Sequence, residues 1–188
     1  MKWLRARVPG GLRSAWSALG LLGLSCLVAS VAAAQPDLEA RVKAAFLYNF
    51  ARFVTWPEDS FTGGEFRVGV LGEDPLDHIL EETLADKSVN GHPVVVKRGQ
   101  TWEILETCHI LYVPGDGTEH GDLRVKLEGK PVLVVGDSVV FAEQTGGIGF
   151  FLEDNRMRFA VNEQSLRRAG LGISSKILRI ARIVEMGR

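Results

Sequence analysis

The chain is poor in cysteine and has almost no excess charge of either sign. Its 188 residues include only two cysteines, and 22 Lys and Arg residues nearly balance 23 Asp and Glu residues, which gives a formal net charge of −1. Two cysteines cannot form a disulfide-rich scaffold or a four-ligand zinc cluster. The missing basic excess argues against nucleic-acid binding, for which a strong positive charge is usual.

The composition also lacks the biases of disordered, fibrous and multi-span membrane proteins. Apolar residues make up 46 % of the chain and charged residues 24 %, which is an ordinary globular composition. A chain of this length is expected to fold as one domain.

The first 34 residues are predicted to be a signal peptide. Four basic residues lie ahead of an apolar stretch over residues 15–33, and no acidic residue occurs before Asp37. The stretch ends in Ala32-Ala33-Ala34, the small-x-small pattern of a signal-peptidase site. We therefore expect cleavage after about Ala34. Because the segment contains no Arg-Arg pair, export by the general secretory route is favoured.

Two other interpretations of this segment stay open. The apolar stretch is close to the ~18 residues that span a bilayer, so it could be an uncleaved anchor, although Gly20 and Gly23 weaken that interpretation. Lipidation of Cys26 is the other, but Gly23-Leu24-Ser25 is not the usual leucine followed by two small residues. Cleavage would leave no transmembrane segment.

Removal of the leader changes the charge and the cysteine count of the remaining chain. Residues 35–188 carry 18 basic and 23 acidic residues, a net charge of −5, and contain only Cys108. That cysteine precedes the apolar run 109–113, which predicts a buried thiol at the start of a strand.

Helical and extended patterns alternate along residues 35–188. A helix is expected from Leu38 to Thr55, because apolar residues recur at helical spacing until Trp56-Pro57. A second helix is expected to begin at Asp74-Pro75. Strands are expected at 66–71, 94–96, 109–113 and 131–135, and short helices at 102–106 and 123–127.

These patterns predict an α/β fold. The later strands are continuous apolar runs, which is typical of strands covered by helices on both faces. We expect a single domain over residues 35–188, with a mostly parallel sheet in a Rossmann-like or flavodoxin-like three-layer arrangement. A β-hairpin is expected around Asp154-Asn155. A C-terminal helix is expected where Ile173, Ile177, Ile180 and Val184 recur at helical spacing, with Ser174 as its N-cap.

The candidate catalytic and nucleotide motifs do not assemble into a site. Gly136-Asp137-Ser138 resembles the nucleophile block of a hydrolase, but no histidine follows Ser138, and a Ser and Asp in a turn are the simpler explanation. Gly115-Asp116-Gly117 lacks the rest of a phosphate-binding loop. That loop and Gly72-Glu73-Asp74 are both expected at the carboxyl ends of parallel strands, where a modest pocket is predicted.

The acidic residues around the second helix do not predict a metal site. His78 and Glu82 share a helix face, but two ligands make a weak site. Asp74 and Asp77 are explained by the positive end of the helix dipole. We therefore assign no catalytic, cofactor-binding or metal-binding residue, and we predict that the protein is not an enzyme.

Two aromatic residues and two arginines are candidates for binding a partner protein. Tyr48 and Trp56 fall off the apolar stripe of the first helix, and exposed aromatic residues are favoured at protein interfaces. Trp56 could equally anchor the turn into the next strand. Residues 163–188 hold six basic and two acidic residues. Arg179 and Arg182 therefore belong either to the solvated face of a helix or to a surface that docks an acidic partner.

Four blocks of the sequence resemble the YfiR family of exported bacterial proteins. They are residues 44–57 (AAFLYNFARFVTWP), 146–150 (GGIGF), 158–162 (RFAVN) and 169–178 (AGLGISSKIL). Their order and spacing extend the resemblance over about residues 38–185, nearly all of the chain after the leader.

The resemblance implies regulation instead of catalysis. YfiR-like proteins are periplasmic repressors of an inner-membrane diguanylate cyclase, whose periplasmic domain they bind, and they are commonly homodimers with an α/β fold. Cys108 matches a cysteine position of the family, but residues 35–188 contain no second cysteine with which it could pair. The alternative is a periplasmic module that binds a small ligand and serves another membrane sensor or a transport system.

Overall fold

The first helix lies where its apolar spacing predicts. The computed structural model describes residues 37–115, 120 and 122–187, and helix α1 spans residues 37–53. Its fully buried side chains include Ala44, Leu47 and Phe50. The helix ends two residues before the predicted Thr55, because Val54–Thr55 (β1) pairs antiparallel with Gly172–Ile173 (β9).

A sheet of eight strands forms the centre of the fold. The strands of the sheet are β2 (Phe66–Leu71), β3 (Ser88–Val89), β4 (His92–Gly99), β5 (Ile110–Val113), β6 (Leu133–Gly136), β7 (Gly147–Glu153), β8 (Arg156–Asn162) and β10 (Arg182–Ile183). The helices after α1 are α2 (Asp77–Leu84), α3 (Trp102–Leu105), α4 (Leu123–Lys126), α5 (Val139–Gln144), α6 (Glu163–Arg168) and α7 (Ser175–Leu178).

The strand order is β10-β8-β7-β6-β5-β2-β4-β3. The five strands from β7 to β4 are mutually parallel, whereas β8 runs antiparallel to β7 and β3 runs antiparallel to β4. The order β4-β2-β5-β6-β7 is that of a flavodoxin-like doubly wound sheet, so the predicted fold class is confirmed. β4 and β5 lie on opposite sides of β2, so the order in which strands are added reverses between β2 and β5. Such sheets commonly bind ligands at the carboxyl ends of the strands beside this point.

The sheet separates two apolar layers. Alternate residues of β5 illustrate this, since Ile110 and Tyr112 belong to one buried cluster and Leu111 and Val113 to the other. Helices α1 and α2 contribute to the first cluster, and α3, α4 and α5 to the second. Residues Leu38–Arg188 form one compact unit.

The hairpin is confirmed, and its turn has the expected backbone. Asp154 and Asn155 both have positive φ angles, 49° and 58°. Such angles match the right-handed twist of the flanking strands in a two-residue turn, and Asp and Asn tolerate them better than most residues. The turn pairs β7 and β8 over their full length.

The predicted C-terminal helix is wrong beyond one turn. Ser174 does cap α7, since its side-chain oxygen accepts a hydrogen bond from the backbone N–H of Lys176. The helix ends at Leu178, and the chain then becomes extended and pairs in parallel with β8 at the edge of the sheet. Ile180 is consequently 58 % exposed instead of buried on a helix face.

Two short helices after buried strands were not predicted. They are α5, which follows Gly136-Asp137-Ser138, and α6, which follows the end of β8. Within the described ranges of the chain, no helix is long and apolar enough to cross a bilayer. The predicted signal peptide lies outside the described residues.

Candidate functional site

An ion pair between the buried Lys43 and the partly buried Asp137 lies at the carboxyl ends of the central strands. Asp137, directly after β6, accepts hydrogen bonds from the Tyr112 hydroxyl at 2.8 Å and from the Gly115 N–H at 3.1 Å. The Lys43 ammonium of α1 lies 2.9 Å from the same carboxylate and 2.8 Å from Glu39. This network joins α1 to β5 and β6.

Burial and the neighbouring charges determine the protonation states of Lys43 and Tyr112. Burial by itself would lower the pKa of Lys43, but its hydrogen bonds to Glu39 and Asp137 outweigh burial, and the pKa is raised. Burial raises the pKa of Tyr112, and the negative charge of Asp137 raises it further. Lys43 therefore stays charged and Tyr112 stays a hydrogen-bond donor at neutral pH.

The geometry explains the Gly136-Asp137-Ser138 motif without a nucleophile. Ser138 Oγ accepts a hydrogen bond of 2.9 Å from the Phe141 N–H and so caps α5. Asp137 is occupied by the donors of the buried network. The interpretation as a structural turn is therefore supported, although its polar partners were not foreseen.

Arg98 neutralises the acidic residues that flank the start of α2. Its guanidinium donates to Asp74 at 2.7 Å and to Glu81 at 2.8 Å, and it also donates to the Asp77 carbonyl at 2.8 Å. Hydrogen bonding to Arg98 lowers the pKa of Glu81. Among the residues that the structure describes, no group of three His, Cys, Asp or Glu side chains could hold a metal ion.

A small cavity lies near the end of β2, where a modest pocket was predicted. A cavity of about 220 Å³ is lined by Leu71, His120 and residues of α3 and α4. His120 Nε2 would lie only 4.0 Å from a Cβ atom at Gly72, so the two predicted loops approach each other. Residues 116–119 of the second loop lie outside the described residues.

The four predicted interface residues do not form one site. Trp56 is buried, with 6 % of its surface exposed, and its indole N–H donates to the Ala51 carbonyl at 3.1 Å. This placement agrees with the interpretation that Trp56 anchors the turn after α1. Tyr48 is half-buried on α1, where its ring lies under the cationic groups of Arg52 and Lys87.

Arg179 and Arg182 do lie close together, beside the edge strand β10. Both are exposed, and both line a groove of about 470 Å³. We define the C-terminal groove by its lining residues, which are Phe151, Glu153, Arg158, Phe159, Arg179, Ile180, Ala181 and Arg182. Three guanidinium groups therefore share the groove with a single carboxylate.

Apolar groups are exposed within and beside the C-terminal groove. Ile180 is 58 % exposed and the neighbouring Ile183 is 51 % exposed. The Arg182 guanidinium lies over the Phe151 ring, 5.9 Å from its centroid. Exposed apolar residues that are surrounded by arginines are typical of a protein-binding surface. The sequence pattern indicated the arginines but not the exposed isoleucines, because the spacing of Ile180 suggested the buried face of a helix and Ile183 lay outside that pattern.

The single cysteine outside the N-terminal segment is a packing residue. Cys108 is buried, and burial raises the pKa of its thiol to about 11. Its Sγ fills the space beside Gly69, where an added Cβ would lie 2.8 Å from it. The thiol is therefore protonated at neutral pH, and its burial agrees with the prediction from its sequence position.

Fold and surface together define a flavodoxin-like α/β domain whose exposed basic and apolar groove suits protein binding. The model of the YfiR/HmsC-like family matches residues 40–182, and the chain belongs to this family. No curated protein matches the chain. Membership supports, at the level of the family, the role of a periplasmic regulator of diguanylate cyclases.

Proposed function

We propose that this protein is exported to the periplasm and represses an inner-membrane diguanylate cyclase by binding its periplasmic domain. The observation that carries the proposal is membership of the YfiR/HmsC-like family over residues 40–182. Release of the protein from its partner then raises cyclic di-GMP in the cytoplasm. The homodimer that the family resemblance implies stays a prediction.

The C-terminal groove supports the proposal as the docking surface. Arg179 and Arg182 favour an acidic partner, whereas Arg158 already pairs with Glu153 at 3.6 Å within the groove. The exposed Ile180 and Ile183 add apolar area that binding would cover. The groove lies beside β10, the two-residue strand at the edge of the sheet. The partner therefore gains both charged and apolar contacts.

Repression follows from a difference in affinity between two states of the cyclase. The protein must bind the inactive conformation of the outer domain more tightly than the active one. To move the cyclase from almost fully active to almost fully inactive, this preference must reach about 10⁴-fold. A surface that binds both conformations equally would leave the output unchanged.

The proposal is tested by charge reversal in the C-terminal groove. In cells that express the full chain, Arg182→Glu should abolish co-purification with the membrane cyclase. It should also raise cyclic di-GMP to the level of cells without the protein. Lys97→Glu is the matched control, because Lys97 is an exposed cation on β4, near the opposite edge of the sheet.

Co-purification and the cyclic di-GMP level together distinguish a wrong docking surface from a wrong function. Unchanged cyclic di-GMP in cells without the protein, together with no cyclase in the purified complex, would contradict repression itself. Repression that survives Arg182→Glu and Arg179→Glu would contradict only the assignment of the groove.

A further inference from the structure

A second concave site lies at the amino end of β6, and it shares no lining residue with the C-terminal groove. It has a volume of about 400 Å³ and is formed by α4, the end of α5, α6 and the last residues of the chain. Its apolar lining consists of Val125, Leu127, Val132, Val134, Ala169 and Met186. The volume falls within the range of small-molecule sites, which begins at about 300 Å³.

The walls of this cavity are brought together from distant segments. Gly146 has a φ angle of +93°, and a Cβ atom there would lie 2.0 Å from Ser165 Oγ and 3.6 Å from Met186 Cε. Met186 is held in place because the next residue, Gly187, donates its N–H to the Glu143 carbonyl at 2.9 Å. The missing side chain at Gly146 therefore lets α6 and the C-terminal segment approach each other.

Two arginines at this cavity are available for an anion. Arg124 and Arg168 line it, and neither forms an ion pair with any residue of the described part of the chain. The adjacent Arg167 differs, because it pairs with Glu163 within α6. Glu128 is the single carboxylate of the lining, so the cavity carries a net positive charge.

We infer that this cavity binds a small organic anion with an apolar body, of the class of medium-chain or aromatic carboxylates. The two guanidinium groups would hold the carboxylate, for which Arg has a matching pair of donors. The apolar body would cover Leu127, Val132 and Val134, which belong to the second buried cluster. This inference does not depend on the proposed cyclase partner.

Octanoate is a suitable probe, and octan-1-ol is its uncharged counterpart. With protein purified after expression of the full chain, calorimetric titration should show saturable octanoate binding. Affinity for octan-1-ol should be about tenfold lower, because a charge-assisted hydrogen bond is lost. Arg124→Met and Arg168→Met should each weaken octanoate binding by about tenfold, and Arg156→Met, in the exposed hairpin, should not.

A variant on the apolar side keeps the test independent of the arginines. Val125→Glu places a negative charge at a residue that is 73 % exposed, so it should leave the fold intact and still weaken octanoate binding. Absence of saturable binding up to about 10 mM would overturn the inference. Equal affinity for octanoate and octan-1-ol, or binding unaffected by both arginine variants, would also overturn it.

Discussion

Tyr112 shows how one buried hydroxyl can hold the carboxyl edge of the sheet together. Its ring is completely buried, and its hydroxyl donates to the Asp137 carboxylate at 2.8 Å. In Tyr112→Phe the carboxylate loses a donor while remaining largely buried beside Lys43. A hydrogen bond to a charged group is worth about 1.5–3 kcal/mol, so we expect a loss of this size in the free energy of unfolding, measured in urea.

Tyr48→Phe is the matched control for that prediction. The Tyr48 hydroxyl reaches the Ser88 carbonyl at 3.4 Å in an exposed position, and its removal should cost less than about 0.5 kcal/mol. Equal losses in the two variants would show that the network around Asp137 contributes no more than a surface contact.

His109 should make stability depend on pH. Burial lowers the pKa of its imidazole, which accepts the Arg67 N–H at Nδ1 (3.0 Å) and contacts the Ser60 carbonyl through Nε2 (2.8 Å). The neutral ring with its proton on Nε2 satisfies both contacts, whereas a proton on Nδ1 would face the Arg67 N–H. Protonation of His109 is therefore less favourable in the folded chain than in the unfolded chain, where the imidazole has a pKa of about 6.5.

The sign of the pH effect follows from this difference. The contribution of His109 is complete above about pH 6.5 and is lost as the pH falls from there through the lowered pKa of the folded state. Urea unfolding at about pH 7.5, 6.5 and 5.5 should show this loss in the natural protein and a smaller one in His109→Gln. Identical pH profiles would contradict the assignment.

At the scale of elements, local sequence patterns correctly predicted a strand that one apolar run defines and a turn that one dipeptide defines. Strand β2 has the predicted bounds, Phe66–Leu71, and the hairpin turn lies at Asp154-Asn155. The C-terminal segment failed because isoleucines at helical spacing also suit a turn of helix followed by an edge strand. Pairing of β10 with β8 decided the outcome, and that contact is not visible in local spacing.

Close approach of β6 and β7 should depend on Gly147. Its φ angle is +89°, and an added Cβ would lie 2.1 Å from the Val134 carbonyl oxygen. Gly147→Ala therefore adds a backbone clash to the cost of an unfavourable φ angle, which alone is about 1–2 kcal/mol. We expect a total loss above about 2 kcal/mol in urea unfolding.

Gly129 provides the comparison for the backbone angle alone. Its φ angle is +72°, and no atom of the described residues lies within 4 Å of the position that an added Cβ would take. Gly129→Ala should therefore lose only the cost of the φ angle. If both alanine variants lost the same free energy, close packing of β6 against β7 would not be the reason for the glycine.

At the scale of the whole molecule, topology assembles residues that lie far apart in the sequence. Lys43, Tyr112 and Asp137 come from α1, β5 and the end of β6, and no motif links them along the chain. Arg179 and Arg182 were found because they are close in sequence, whereas Phe151 and Arg158 reach the same groove through the hairpin. From the sequence, therefore, only the part of the C-terminal groove whose residues are close together along the chain could be predicted.

The uneven charge of the molecule should make partner association depend on salt. Residues 35–188 have a net charge of −5, yet the C-terminal groove holds three guanidinium groups and one carboxylate. An acidic partner domain would be attracted to the groove and repelled by the rest of the surface, which accelerates correctly oriented encounters. The association rate with the co-purified cyclase should therefore fall as salt rises from about 0.01 to 0.1 M, because the screening length shortens from about 30 to about 10 Å.

Two charge variants locate the source of this salt dependence. Arg182→Gln, a milder change than the charge reversal, should reduce it, because this variant removes one guanidinium from the groove. Lys97→Glu should keep it, and both variants can be measured by stopped-flow or surface binding kinetics. A rate that is independent of salt in the natural protein would mean that the apolar contacts of Ile180 and Ile183, and not the arginines, select the partner.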